Sequence, residues 1–358
     1  PSLKETSKFF DTYYVPNNMA IIMSGNFNVN EAIKLIEKHF SYMPSKQLPK
    51  KQDLKTPLLA ENIKTSITST KNESLAMYYV LEPADTKEAY IAEFVEMLFL
   101  NGNIGIVDIG EIKNNSNWFN SSWQHYYDDF SLHFLEGEPK DITLKELEQI
   151  VLKDIERLKT GNFPDWMLEA VANDINKRFL SSVESNRGIV STIQEAFSKG
   201  ISMEELFEWQ EKFHTVTKKD IMDFAKKYYE NYGIVYKRKG EKIITKLEKP
   251  EITGISSDNN NINSDFGRNI QSFDVAEIKP KVVDFDKAMS KISLNDGLKV
   301  NYVENTTNDK FALRIVFNLE NSKDLMIAND YLKQVGTDKY SANELKSELY
   351  KLGTTFNL

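Results

Sequence analysis

The sequence predicts an α+β fold: an antiparallel-rich sheet with helices packed on one face. Three observations carry that reading. Short apolar or aromatic runs recur with strand character. Several segments open with Ser, Thr, Asn or Asp three residues ahead of an acid, which is helix-start spacing. The order is strand, helix, two strands, a run of four helices and a closing strand pair, not strict β-α alternation.

Each element follows from local signals. Met19–Met23 is an apolar run ending at Ser24-Gly25-Asn26 and reads as a strand covered on both faces. Asn28 with Glu31 opens a helix whose stripe is Ile33, Ile36 and Phe40, closing before Pro44. The proline- and lysine-bearing stretch 44–60 reads as a connector. Leu75–Leu81 is a strand by its apolar and aromatic content. Asp85 with Glu88 opens a helix running to Leu100 and stopping at Asn101-Gly102. Residues 118–135 alternate as one or two strands. Thr143 with Glu146 opens a helix closed by Gly161. Pro164 starts the next, with stripe Leu168, Val171, Ile175 and Phe179, and Ser202/Glu205 and Thr217/Asp220 open two more. Gly233–Leu247 reads as a hairpin turning at Lys239-Gly240. Residues 248–290, with the polar run 256–265, read as a linker expected to be proteolytically labile. Beyond it, Leu298–Val303 and Phe311–Phe317 read as two strands joined by a polar turn. A helix is expected over 324–334, and Ser341/Glu344 opens another that closes at Gly353.

Composition bounds the function. The chain has 358 residues, 41% hydrophobic and 27% charged, enough for about two to three domains. Its formal net charge of -8 argues against a broad nucleic-acid face. The absence of cysteine excludes thiolate catalysis, disulfides, iron–sulfur clusters and Cys-type zinc sites. No apolar run approaches the ~20 residues of a membrane span. Pro1 at the start reads as an internal piece of something longer.

The chemistry-bearing motifs are incomplete. Of the four histidines, His39 and His214 sit at helix ends, where a cation is commonplace. His125 and His133, near Asp128 and Asp129, share a strand-like segment without the short spacing of a metal site. His133-x-x-Glu136 begins like H-x-x-E-H, but Gly137 replaces the second His. Asp128 and Asp129 are adjacent, so on a strand they face opposite ways. Gly102–Gly105 lacks the Lys-Ser/Thr of a phosphate loop, and Ser121-Ser122 lacks a G-x-S-x-G elbow. Lys237–Lys242 reads as a solvated basic turn.

Whole segments taken in order say more. Phe9-x3-Tyr13-Tyr14-Val-Pro16-Asn17-Asn18-Met19, the following apolar run, Ser24-Gly25-Asn26 and an amphipathic helix ending in His39-Phe40 resemble the insulinase-type (pitrilysin) zinc metallopeptidase family. Glu184-Ser-Asn-Arg187 after a long helix resembles that family's second domain. Leu294–Val300, Gly336–Ser341 and Leu345-x6-Leu352-Gly353 resemble the start of its next catalytic-type domain.

The resemblance implies repeated insulinase-type domains: 1–60 the end of a first catalytic-type domain, 61–247 a second α+β domain, 248–290 a linker, and 291–358 the start of a third, inactive one. It also places the zinc-motif positions. Counting nine residues back from Gly336 puts H-x-x-E-H on Ile327, Asp330 and Tyr331. Ile327 has no metal-binding atom, Asp330 is one carbon shorter than the Glu base, and Tyr331 offers a phenol, a poor zinc ligand at neutral pH. The chain is therefore expected to have no catalytic residue and no metal ligand of its own, with Leu325, Ala328, Leu332 and Val335 as a buried stripe. It implies a parent that holds zinc and hydrolyses peptides with zinc-activated water, this piece supplying chamber wall and hinge. Peptide or unfolded polypeptide is the implied partner, and the bacterial periplasm or cell envelope the implied location. The alternative is a catalytically inactive scaffold or peptide-binding homologue. The incomplete ends are expected to complement one another, Met19–Met23 against Phe311–Phe317, or through a homodimer.

Overall fold

The computed structural model describes residues 2–50, 57–83, 88–126, 129–241, 264–274, 282–295, 297–320, 322–332, 334–354 and 356. By backbone contacts the chain divides into a unit of Pro1–Lys242 with Ile315–Leu358 and a second unit of Ile243–Arg314.

The first unit opens on α1 (Leu3–Tyr13), which the sequence reading passed over although Ser2 and Glu5 form a reciprocal capping box at its start. Helix α2 (Val29–Phe40) is capped by Asn28 as its spacing predicts. Between them Met19–Met23 is extended but not a strand, with Met19, Ile21 and Met23 about half exposed. A strand covered on both faces needs neighbours to bond and layers to cover it, and neither is formed here.

The sheet has the order β1-β5-β2-β4-β3. Strands β2 (Ser74–Leu81), β3 (Ser116–Tyr126), β4 (Phe130–Pro139) and β5 (Gly233–Lys239) fall on runs read as strands. Strand β1 (Ile63–Ser69) does not; it pairs in parallel with β5, Ile63 opposite Gly233. The sheet is otherwise antiparallel, with β2 between β5 and β4 and β3 on the outer edge. Both edges of β5 are taken, by β1 and β2. The return arm of the expected hairpin over 233–247, beyond 241, lies outside the described residues, as do Asp85, Asp128 and most of 256–265.

Alternation along β2 and β4 turns Leu75, Met77, Tyr79, His133 and Leu135 to a buried face. Helices α3 (Ala89–Phe99), α5 (Leu144–Thr160), α6 (Trp166–Ser182) and α9 (Lys218–Tyr228) build the core with that face, through Phe94, Leu98, Val151, Ile155, Val171 and Phe224. The short α4 (Glu111–Asn115) leads into β3, and α8 (Met203–Phe213) adds Leu206, Trp209 and Phe213. Thr143, Ser202 and Thr217 each cap a helix start as predicted, and Gly161 ends α5 with φ 69°, where a glycine is the easy choice.

Helix α7 (Asn186–Lys199) was missed because its cap, Ser185, bonds the amide of Gly188 rather than that of an acidic residue. That glycine has a steric role. A Cβ there would lie 1.5 Å from the Ser182 carbonyl oxygen. Gly188→Ala should therefore lower stability by about 1–3 kcal/mol in urea unfolding, the usual cost of overpacking.

Within 248–290, the described residues form α10 (Asp265–Gln271) and α11 (Phe285–Ala288). Strands β6 (Ser290–Ser293) and β7 (Lys299–Tyr302) pair antiparallel across a turn that includes Gly297 at φ 76°. The 298–303 strand thus has an upstream partner, not the expected downstream one. Phe311–Phe317 is extended, unpaired as a strand and exposed. Neither it nor Met19–Met23 enters a sheet, so the expected strand complementation is not formed in these residues. The chain ends with α12 (Lys323–Leu332) and α13 (Ala342–Lys351), the latter capped by Ser341 and Glu344.

Candidate functional site

Helix α12 carries Ile327, Asp330 and Tyr331, the three residues that the family resemblance sets at zinc-motif positions. Its first turn is fixed by Ser322, whose Oγ accepts from the Leu325 amide at 3.1 Å. Ile327 and Tyr331 lie one turn apart and share a face, with Asp330 one residue ahead of Tyr331. That is the right backbone placement for a helical pair of metal ligands, but the atoms are wrong. Ile327 offers no lone pair, and both Ile327 and Tyr331 are about two-thirds exposed. These residues do not fit a zinc ion. Among the described residues no group of three His, Asp or Glu side chains is placed to hold a metal. The expected buried stripe is also corrected. No residue of α12 is buried, and Leu325 and Leu332 are exposed. A stripe is buried only when a layer lies on it, and the adjoining apolar run 311–317 forms no strand to provide one.

The histidines resolve differently. His39 and His214 are exposed at the ends of α2 and α8. His125 pairs in register with Ser131, two positions from the His133–Trp123 pair of the same hairpin. His133 is buried within the core. Its Nε2 lies 2.7 Å from Ser121 Oγ and its Nδ1 2.7 Å from Tyr229 Oη. A hydroxyl, an imidazole and an orienting hydroxyl in line have the outward form of a nucleophile–base relay. The electrostatics remove that role. Burial pushes the His133 imidazole down to about 3, so it takes no proton at neutral pH. A neutral imidazole donates at one nitrogen and accepts at the other, which the two hydroxyls satisfy. His133 is a structural core residue.

The Gly102–Gly105 loop is equally closed to anions. Asp108 Oδ2 accepts from the amides of Asn101, Gly102 and Gly105 at 2.9–3.1 Å. Asn101 Oδ1 accepts from Asn103 and Ile104. The donors a phosphate would need are already bonded to the protein itself.

Two buried carboxylates do organise the unit. Glu148 on α5 is almost fully buried and accepts from Lys64 of β1 at 2.7 Å, Tyr232 at 2.8 Å and Tyr236 at 2.6 Å. Burial alone would raise this carboxyl, but the bonds from Lys64, Tyr236 and Tyr232 together hold it below its ordinary value. Asp174 on α6 is also buried and pairs with Lys177 and Arg178, each at 3.0 Å. Tyr350 of α13 reaches the same carboxylate. Neither acid stood out in the sequence, because each lies among apolar positions of a helix with its tyrosine partners far along the chain. A cavity of about 410 Å³ lies between α13 and the 102–113 segment, lined by Asn103, Lys113, Leu332, Leu345, Leu349 and Phe356 among others.

Residues 2–174 match the family model of the peptidase M16 inactive domain. Over 240 residues the chain is 20% identical to the zinc protease PqqE of Helicobacter pylori (strain ATCC 700392 / 26695), covering 64% of this chain and 53% of that protein. The chain thus spans about half the length of this curated relative. The crystal structure of a protease from Helicobacter pylori aligns with TM-score 0.61 at 19% identity, over 66% of this chain and 59% of that one. The periplasmic protease PqqL from Escherichia coli aligns with TM-score 0.53 at 16% identity, over 98% of this chain and 42% of that one. At such identities the structures speak for the fold, and they share the α+β architecture predicted.

Proposed function

We propose, from the match of residues 2–174 to the peptidase M16 inactive domain, that this chain is a noncatalytic portion of an insulinase-type zinc protease, contributing peptide-chamber wall and hinge. The observation that carries the reading is the conjunction of that match with a helix whose zinc-motif positions are Ile327, Asp330 and Tyr331. Zinc, and the base that works with it, belong to other residues of the parent; no step of hydrolysis is assigned to this chain. Its partner is peptide or unfolded polypeptide, met through the parent protein, and not nucleic acid. The periplasm or cell envelope is the proposed location, by likeness to the periplasmic protease PqqL. Among the described residues no helix is long and apolar enough to cross a membrane. The exposed Phe9, Phe10, Ile33 and Phe40 on α1 and α2 support a surface covered by further protein, either the parent or a second copy in a homodimer.

Fluorescence anisotropy tests the peptide role. A labelled, permanently unfolded polypeptide should bind the chain without being cut, its folded counterpart should not bind, and a chelator should change neither result. Failure of the unfolded chain to bind would favour an inactive scaffold instead.

A further inference from the structure

Helix α13 meets α6 through its last turn and the residue beyond it. Tyr350 Oη donates to Asp174 Oδ2 at 3.3 Å. Lys177 Nζ donates to the Gly353 carbonyl at 3.3 Å. The Lys351 ammonium stands 4.8 Å from the centre of the Trp166 ring. Trp166, Asp174 and Lys177 fall on one face of α6 at helical spacing, so the seat is continuous. Tyr350 is 3% exposed, and every other described residue from 315 to 356 is exposed or half-buried. One side chain therefore anchors this stretch.

The contact is built so that it can open. Asp174 takes both its cations, Lys177 and Arg178, from its own helix. Arg178 is held in turn by the Asn101 carbonyl at 3.2 Å. When Tyr350 withdraws, the carboxylate stays doubly paired and no uncompensated buried charge is created, which is the usual obstacle to breaking a buried polar contact. The departing groups are a phenol, an ammonium and the Gly353 carbonyl, all of which water solvates. Helix α13 brings its own ends satisfied: the Ser341/Glu344 capping box at one, and at the other the Thr354 amide bonded to the Leu349 carbonyl.

We propose that α13 is a releasable strap latched to α6 by the Tyr350–Asp174 contact, and that its release opens the cavity between α13 and the 102–113 segment. That cavity has α13 as one wall, through Leu345, Leu349 and Tyr350, and the 102–113 segment as the other. That α13 wall is in place only while the strap is seated. The inference stands on these contacts and not on the peptide-binding reading.

Hydrogen exchange on the intact chain tests it, because a ten-residue helix is marginal in water once undocked and its amides then exchange. In the unsubstituted protein, residues 342–351 should exchange at least about tenfold faster than 144–160, since strap opening precedes unfolding of the core. Tyr350→Ala should speed 342–351 by about a further tenfold and leave 144–160 unchanged. Tyr350→Phe, which keeps the ring but not the hydroxyl, should fall between the two. Substituting Tyr350 leaves α6 and its ion pairs whole, so the core serves as internal reference. The proposal is overturned if α13 and α5 exchange in step in the unsubstituted protein. It is equally overturned if Tyr350→Ala leaves 342–351 unchanged or speeds 144–160 as much.

Discussion

Replacing His133 with alanine should destabilise the protein by about 3–5 kcal/mol at pH 7, read by urea unfolding. The substitution empties a site in the packed core and strips Ser121 and Tyr229 of a partner, so a cavity cost adds to that of two unsatisfied hydroxyls. The cost should also depend on pH with a definite sign. Unfolded, the imidazole titrates at about 6.5, while burial holds it at about 3 in the fold. Below pH 6.5 the unfolded chain therefore binds a proton that the folded chain refuses. Stability contributed by this site is present above 6.5 and falls by about 1.4 kcal/mol per unit as pH drops toward 3.

Glu96 runs the other way. Burial raises its carboxyl to about 7, only partly offset by the Trp123 backbone amide. The fold then binds a proton there before the unfolded chain does, and stability rises as pH falls from 7 toward 4.5. The two slopes oppose one another between pH 4.5 and 6.5. The difference between the unsubstituted protein and His133→Ala should shrink by about 1.4 kcal/mol per pH unit. A difference that stays constant from pH 7 to pH 5 would show that His133 is not buried neutral.

Glu148→Ala should cost about 3 kcal/mol, the second large effect. It removes one acceptor from three donors at once. Lys64 is half exposed and can return to water, but Tyr232 is buried and loses the carboxylate that accepts its hydroxyl. The consequence should concentrate in β1, which has β5 on one side only and whose Lys64 is tied to α5 through this carboxylate. Hydrogen exchange should show 63–69 losing protection before the rest of the sheet. Glu148→Gln, which keeps the shape and one acceptor, should cost clearly less. Equal loss of protection along β1, β2 and β4 would mean that Glu148 supports the core generally and not the edge strand.

These sites show what a sequence does and does not reveal. Helix starts were legible because capping is local: Asn28, Thr143, Ser202, Thr217 and Ser341 each bond an amide three residues on, where an acid stands in the sequence. Strand β1 was not, because Ile63–Ser69 is a polar edge whose partner Gly233–Lys239 lies far along the chain with no local turn to mark the pairing. Met19–Met23 and Phe311–Phe317 erred in the opposite sense. Their composition suits a strand, but a strand exists only when another bonds it. The Ser121–His133–Tyr229 chain was hidden for a third reason. Ser121 and His133 meet only through the turn between β3 and β4, and Tyr229 arrives from the end of α9.

The candidate site follows the same division. That Ile327 offers no metal-binding atom is a matter of residue identity and could be read directly. The seat of α13 on α6 joins residues 174 and 350 through one hydrogen bond, and only the fold brings them together.

Zinc analysis of the purified chain tests the central claim most directly. The protein would be dialysed against free zinc, then against metal-free buffer, and its zinc measured by elemental analysis alongside an assay for cleavage of an unfolded polypeptide. A noncatalytic portion of an insulinase-type protease should retain well under one zinc per chain and cut nothing. One retained zinc per chain, accompanied by chelator-sensitive cleavage, would contradict it.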